Sequence, residues 1–370
     1  MKTLSNMLAA LVLAAMPWTA LGATFEVVHS FAGTDGAYPQ STPVLVGNIG
    51  YATTWRGGAA GDGAVVEYNA GKVTVLHNFG DGSVENDGKY PVGGVIAANG
   101  ALYGTTLGGG AYGAGAVYKI TTSGAVAILH SLNTTDGASP YAALYLASDG
   151  NLYGTTEGGG AYVGGVLFKI TPKGAYTVLH SFGAGTDGAN PYGQLTEAHG
   201  ILYGTTEGGG ANQCGTIYTL TLSGSYSNLY QFGATSWADA FCPFGGLTVG
   251  TDGLYGTGCY GGTNDLGAIY RITPSGVETV THSFARSEGM EPQYGSLALV
   301  GSTLYGTCCG GGSGSGTVFS ITQSGTVTVL HSFNGNDGVA PTGGLIYVGG
   351  MLYGLTSSGG TKQDGVVFGL

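Results

Sequence analysis

Residues 192–232 read YGQLTEAHGILYGTTEGGGANQCGTIYTLTLSGSYSNLYQF, and their punctuation decides the fold. Four short runs emerge, at 193–197, 201–206, 215–221 and 225–232. They are rich in Ile, Leu, Tyr, Thr and Phe, as half-buried strands are. His199-Gly200 and Ser223-Gly224 make tight joints between them, and the glycine-rich stretch 207–213 makes a longer loop. No apolar repeat near 3.6 residues runs through the segment, so helix is not expected.

The pattern recurs along the chain. Leu-Tyr-Gly-Thr starts at Leu102, Leu152, Leu202, Leu254 and Leu304, with divergent copies at Ile49-Gly50-Tyr51 and Leu352-Tyr353-Gly354. The seven tyrosines, Tyr51, Tyr103, Tyr153, Tyr203, Tyr255, Tyr305 and Tyr353, stand 48 to 52 residues apart. A second marker, His-Ser-Phe or a variant, starts at His29, His77, His130, His180, His282 and His331, with Tyr230 in the seventh place. Seven units fill residues 24–370 and leave no room for another domain.

Four antiparallel strands repeated seven times predict an all-β chain folded as a seven-bladed β-propeller. A β-solenoid is the rival, but it usually has shorter repeats and needs polar caps at both ends. Here residues 24–31 (TFEVVHSF) read as a fourth strand, whereas residues 365–368 (GVVF) read as a third. Pairing the two would complete the last blade, close the ring and remove both exposed edges.

Composition agrees. The 370 residues include 75 Gly and 24 Tyr; 43% are hydrophobic and 8% charged, with a net charge of -11. That hydrophobic content excludes disorder driven by charge, and the irregular glycine spacing excludes a collagen-like helix. The acidic balance speaks against a nucleic-acid partner. Lys2, the apolar run 7–16 and the small residues Ala20, Gly22 and Ala23 read as a signal peptide over 1–23, cleaved near Gly22 or Ala23. The run is too short to span a bilayer. A secreted or periplasmic protein without a membrane span is expected, as a monomer.

These residues resemble a known family. Stretches such as 152–161 (LYGTTEGGGA), 164–174 (GGVLFKITPKG) and 178–182 (VLHSF) look like the Gloeo/Verruco (GloVer) tandem repeat of exported bacterial choice-of-anchor proteins. The resemblance implies a repeat fold and export, and brings no activity that maps onto particular residues. Members often carry an anchoring segment; the chain's strand-like last residues lead us to expect none here.

In a repeat protein, a residue present in every copy serves what every blade needs, so unique departures are the better functional candidates. Six equivalent histidines spread around a rim cannot converge on one metal, and a structural place between blades is expected. In 178–182, alternation puts Val178, His180 and Phe182 on one face. The recurrent Asp-Gly pairs (Asp35, Asp87, Asp136, Asp187 and Asp337, with Glu288 and Asp239 in the other two places) read as turns whose carboxylates accept backbone N–H bonds. Calcium would need six to eight oxygens around one ion, and no compact acidic run supplies them. No metal or cofactor is expected.

The connections from fourth to first strand and from second to third are the long ones, and they share one face. Around their prolines stand Tyr38, Tyr90, Tyr141, Tyr192, Phe244 and Tyr294; the second-to-third loops add Trp55 with its neighbour Arg56, Tyr112, Tyr162 and Tyr260. Aromatic, charge-poor surfaces suit stacking on sugar rings or a cell-surface protein; the plainer alternative is that the rings plug gaps between blades. The position after Tyr-Gly-Thr-Thr varies as Trp55, Leu107, Glu157, Glu207, Cys259, Cys309 and Ser357. Glu157 and Glu207, on adjacent blades, would stand at a separation open to an inverting glycosidase or to a sugar-binding rim. Five cysteines fall between Cys214 and Cys309: a Cys214–Cys242 bridge is expected, with Cys259 paired to Cys308 or Cys309 as a further option and a vicinal Cys308–Cys309 bridge as another.

The leading expectation is thus a binding module for a polysaccharide or other surface polymer. The alternatives are a polysaccharide lyase or glycoside hydrolase using Glu157 and Glu207, and a structural envelope protein.

Overall fold

The computed structural model describes residues 24–69, 71–233, 239–292 and 295–370, and every regular element among them is a strand. The expected signal peptide lies outside the described residues. Seven four-stranded antiparallel sheets form in chain order as the blades of a propeller. The fourth blade is representative, with Thr196–Ala198, Ile201–Thr206, Thr216–Thr221 and Tyr226–Gln231 paired in that sequence. Closure is as expected. Glu26–Ser30 pairs antiparallel with Val366–Gly369 and completes the blade begun by Ile346–Val348 and Met351–Thr356.

Each part of the repeated motif has a separate task. Alternation along a strand sends Leu202 into the core shared with the third blade, and Tyr203 into the core shared with the fifth. The Thr205 hydroxyl donates to the Gly245 carbonyl of the fifth blade at 3.0 Å. The Thr206 hydroxyl donates to Gly208 O at 3.0 Å and accepts the Thr216 N–H, so it pins the start of the glycine-rich loop. The apolar core is therefore a ring of seven clusters, one at each blade junction. Each buried Leu, Ile or Phe in it stabilises by about 1.5–3 kcal/mol relative to exposure.

Two local expectations need correction. The first strand of the fourth blade begins at Thr196, not Gly193. Residues 193–195 run along the channel, where neighbouring blades meet backbone to backbone; a β-carbon on Gly193 would stand 2.7 Å from Gly245 O. The outer strand, moreover, does not alternate strictly. His180 lies opposite Leu167 while Val178 lies opposite Phe168, so Leu179 is the extra residue of a bulge. Leu179 consequently packs against the core and Val178 is exposed. The same register shift recurs in the other six blades.

The repeated histidines and acids form one structural device. His180 Nε2 meets Asp187 Oδ2 at 2.7 Å, and equivalent contacts join His29 to Asp35, His77 to Asp87, His130 to Asp136, His282 to Glu288 and His331 to Asp337 at 2.8 to 3.0 Å. In the remaining blade the Tyr230 hydroxyl donates to Asp239 at 3.0 Å. The carboxylates also accept loop N–H groups, as Asp136 does from Asn133 and Asp337 from Asn334. Three of the imidazoles lie flat on an aromatic ring of the following blade: His130 on Tyr176, His180 on Tyr226 and His331 on Phe25. The device ties a blade's last strand to the next long loop.

Candidate functional site

The long loops are fixed rather than floppy. In all seven blades a residue of the fourth-to-first loop bridges to the second-to-third loop, as a two-residue ribbon (Gly188–Ala189 with Gly208–Gly209) or a single bridge (Ala138 with Gly158). The residue before each proline then links two second-to-third loops. Asn190 N–H donates to Gly164 O at 2.8 Å, and Asn190 O accepts from Glu207 N–H at 3.0 Å. Its positive φ of 56° lets the backbone face both ways. Asn is among the non-glycine residues most tolerant of that region.

On this frame the chain places a row of three rings, one from each of three adjacent blades. Tyr141 and Tyr192 are 4.7 Å apart between ring centroids, and Tyr192 and Phe244 are 5.2 Å apart. Tyr141 and Tyr192 line the mouth of the central channel, a cavity of about 190 Å³ whose wall includes Gln40, Ser41, Thr42 and Gln194. All three rings are half-buried, with a part left to solvent.

Glu157 and Glu207 stand near the middle ring of this row. Burial first, and then the nearby carboxylates of Glu157 and Glu207, push the Tyr192 phenol far up. Burial first, and then the charge of Glu157, raises the Glu207 carboxyl above its ordinary range. Asn190 Nδ2 donates to the Glu157 carbonyl at 3.1 Å. Two carboxylates therefore share one rim with three rings.

A second cluster occupies the first two blades. The Arg56 guanidinium lies 4.7 Å from the Trp55 ring centroid and 4.3 Å from that of Tyr90, and Tyr38 meets Trp55 edge-on at 6.2 Å. Here the rings are partly occupied with one another and with Arg56, as the gap-filling alternative anticipates. Tyr112 and Tyr162 join neither cluster through a ring contact among the described residues and stand 69% and 58% exposed at loop tips. Tyr260 meets Phe241 at 5.9 Å, and Tyr294 lies outside the described residues.

The expected disulfides are not formed: no bridge joins any of the five cysteines. Cys242 N–H donates to Cys214 O at 3.0 Å, so the backbones meet. The Cys214 thiol, however, turns back onto Asn212 O. Cys308 ends its strand buried in the core between the fifth and sixth blades, while Cys309, just past the strand, points its sulfur toward Pro341 O. Burial pushes the Cys242 thiol up to about 11, with Glu207 and Cys214 adding to it, and raises the Cys214 and Cys308 thiols too. Such groups stay protonated at neutral pH and are poor nucleophiles.

Sequence reasoning did not find Asn190 or the channel residues Gln40, Ser41, Thr42 and Gln194. A signal existed. Proline, one further residue and Gly-Gly stand in three repeats (91–94, 243–246 and 341–344), and Ser41-Thr42 and Gly193-Gln194 depart from that glycine pair.

Comparison with known proteins follows from this architecture. The Gloeobacter/Verrucomicrobia repeat matches residues 15–204 and 95–315. The chain belongs to this repeat family. No curated protein sequence matches it. Among solved structures, virginiamycin B lyase from Staphylococcus aureus superposes with a TM-score of 0.61 at 16% identity, over 94% of this chain and 100% of its own. A streptogramin B lyase gives 0.63 at 15%, over 94% and 96%. A puromycin-hydrolyzing peptidase of Mycobacterium tuberculosis gives 0.56 at 13%, over 88% of this chain and 50% of that one. At such identities the likeness is one of fold. In this Gloeobacter/Verrucomicrobia repeat protein, function rests on its own residues. Among the described residues no group of three or more His, Cys, Asp or Glu side chains could hold a metal ion, and no helix could cross a membrane.

Proposed function

We propose that this protein is an exported binding module, secreted or periplasmic, that holds a carbohydrate chain on its long-loop face at the channel mouth. The observation that carries the reading is the row Tyr141–Tyr192–Phe244 with Glu157 and Glu207 beside it. Ring faces take up the C–H faces of sugars, while carboxylates accept hydroxyl hydrogen bonds and set orientation. Loops already pinned by backbone bonds cost little further ordering on binding. A panel of cell-envelope polysaccharides tests it, with retention on immobilised protein and release of products read together. Retention that falls at least ten-fold in Tyr192→Ala and Phe244→Ala is expected. Blank retention across the panel, or retention indifferent to both substitutions, overturns the reading.

A second reading has its own observation. Burial, and then the charge of Glu157 nearby, makes Glu207 hold its proton more tightly than an ordinary carboxyl, as a general acid beside a second carboxylate would. Product release lost in Glu207→Gln would favour a glycoside hydrolase or polysaccharide lyase over simple binding. Neither retention nor release would favour a structural envelope protein.

A further inference from the structure

The seven blade junctions are not equivalent. In six blades the second strand carries a leucine followed by Tyr and Gly, and the third strand lays a Tyr or Phe ring over that glycine. A β-carbon on Gly104 would stand 2.4 Å from the Tyr118 hydroxyl, and one on Gly154 would stand 2.5 Å from Phe168 Cζ. The first blade departs at both positions at once. Gly50 replaces the leucine, and Ala52 faces Val66 where Gly104 faces Tyr118. The junction that closes the ring has accordingly the smallest cluster, built on Phe31, Ala52, Ala64, Val66, Leu355 and Val367.

The missing side chains are replaced only in part: Tyr68 stands opposite Gly50, where other blades set an Ile or Leu opposite their leucine. A cavity of about 150 Å³ remains between the last and first blades, walled almost entirely by apolar groups. A β-carbon on Gly50 would find its nearest neighbour at 3.7 Å, so even this wall is not crowded. Asn48, which is exposed in the tight turn between the first two strands, puts the mouth on the short-turn face, opposite the channel rim described above. An engineered apolar cavity of about this size stays dry and takes up benzene.

The repeat itself indicates the shape of the occupant. At five junctions the outer-strand Phe of one blade meets the third-strand ring of the next at 5.0 to 5.2 Å, as in Phe79–Tyr118, Phe182–Tyr218 and Phe333–Phe368. At the closing junction Phe31 is in the same place, fully buried and edge-on to His29, but faces Val66 where the third strand of other blades offers a ring. We infer that this pocket is a binding site for an uncharged molecule bearing a single aromatic ring, which takes the place of the missing tyrosine or phenylalanine against Phe31. Charged ligands are excluded by the apolar wall, which offers an ion no compensating partner.

Toluene titrated into methyl-labelled protein and followed by NMR tests the assignment. Saturable shifts are expected at the methyls of Val66, Val73, Leu355 and Val367, with those of the channel mouth unmoved. Gly50→Leu, and separately the pair Ala52→Gly with Val66→Phe, restore the residues of the other blades and should each weaken binding at least ten-fold. Their melting temperatures should stay at or above that of the wild type. Absence of saturation, shifts located elsewhere, or affinity unchanged in both filled proteins would overturn it. The wild-type shift map decides by itself if a variant folds poorly.

Discussion

Phe25 lies flat on the imidazole of His331, with ring centroids 3.6 Å apart and planes within 5°. One residue directly precedes the strand that completes the last blade; the other lies near the end of the outer strand of the blade before it. Tyr176 on His130 and Tyr226 on His180 make the same contact within continuous chain. At the closure it seats a strand that arrives from the far end of the sequence. Phe25→Ala should cost about 1–3 kcal/mol, through lost ring area and lost stacking. Urea unfolding measures this, and a variant as stable as the wild type would show that the stack does not hold the strand.

Acid–base behaviour should betray the one blade without its histidine. Tyr230 donates to Asp239, and the next blade offers Glu278 where three others offer the rings of Phe25, Tyr176 and Tyr226. Burial, then the charge of Asp239, pushes the Glu278 carboxyl up to about 7. Burial raises Asp239 as well. In the unfolded chain a glutamate titrates near 4.3. Between that value and about 7 the folded state holds more protons, so stability falls as pH rises through the window. Glu278→Gln should flatten this part of the curve and stabilise the protein above pH 7 by about 1–2 kcal/mol. Melting temperatures from pH 5 to 8 check it; parallel curves would refute it.

Filling the closure pocket should also stabilise the empty protein. Gly50 lies in a strand, where glycine is unfavourable, and a leucine there would bury its side chain in space already apolar. Gly50→Leu is expected to add about 1–3 kcal/mol. Calorimetry without ligand measures the gain, and a loss would mean that the surrounding wall cannot accept the side chain.

The threonines that tie blade to blade offer a cleaner probe. Thr205→Val keeps the shape and removes the bond to Gly245 O. It should cost about 1–2 kcal/mol, the penalty of a buried carbonyl left unpaired. No cost in chemical denaturation would mean that the carbonyl finds another donor.

The sulfurs give a simple count. With no bridge among the cysteines, unfolded protein should yield all 5 residues as titratable thiols without reductant, and dithiothreitol should leave the melting temperature unchanged. A lower thiol count would establish a disulfide.

Much of this was legible in the residues. The repeat marks the strands because turns and β-branched runs are local, and the closure could be read because a fourth-strand sequence opens the chain while a third-strand sequence ends it. The pairing of His with Asp was foreseeable from their fixed spacing, and Glu157 and Glu207 from their equivalent places on adjacent blades. The outer-strand bulge was not, since an inserted residue such as Leu179 leaves no mark in composition. Nor were the sulfur directions, which depend on how Cys214 turns over its own loop. The departures at Gly50 and Val66 are visible in the sequence. Their consequence is not, because the residue they leave without a third-strand ring is Phe31, contributed by the outer strand of a different blade.

That clasp between opposite ends of the polypeptide also dictates timing. Thr361 N–H donates to Ser30 Oγ across 331 positions of sequence. Six blades can each form from about fifty neighbouring residues, whereas the seventh must wait for synthesis to deliver its other three strands. Each doubling of separation adds about 0.6 kcal/mol to the entropy of bringing two points together. The circle is therefore sealed late, and until then the protein is a curved, open row of blades with one sticky edge.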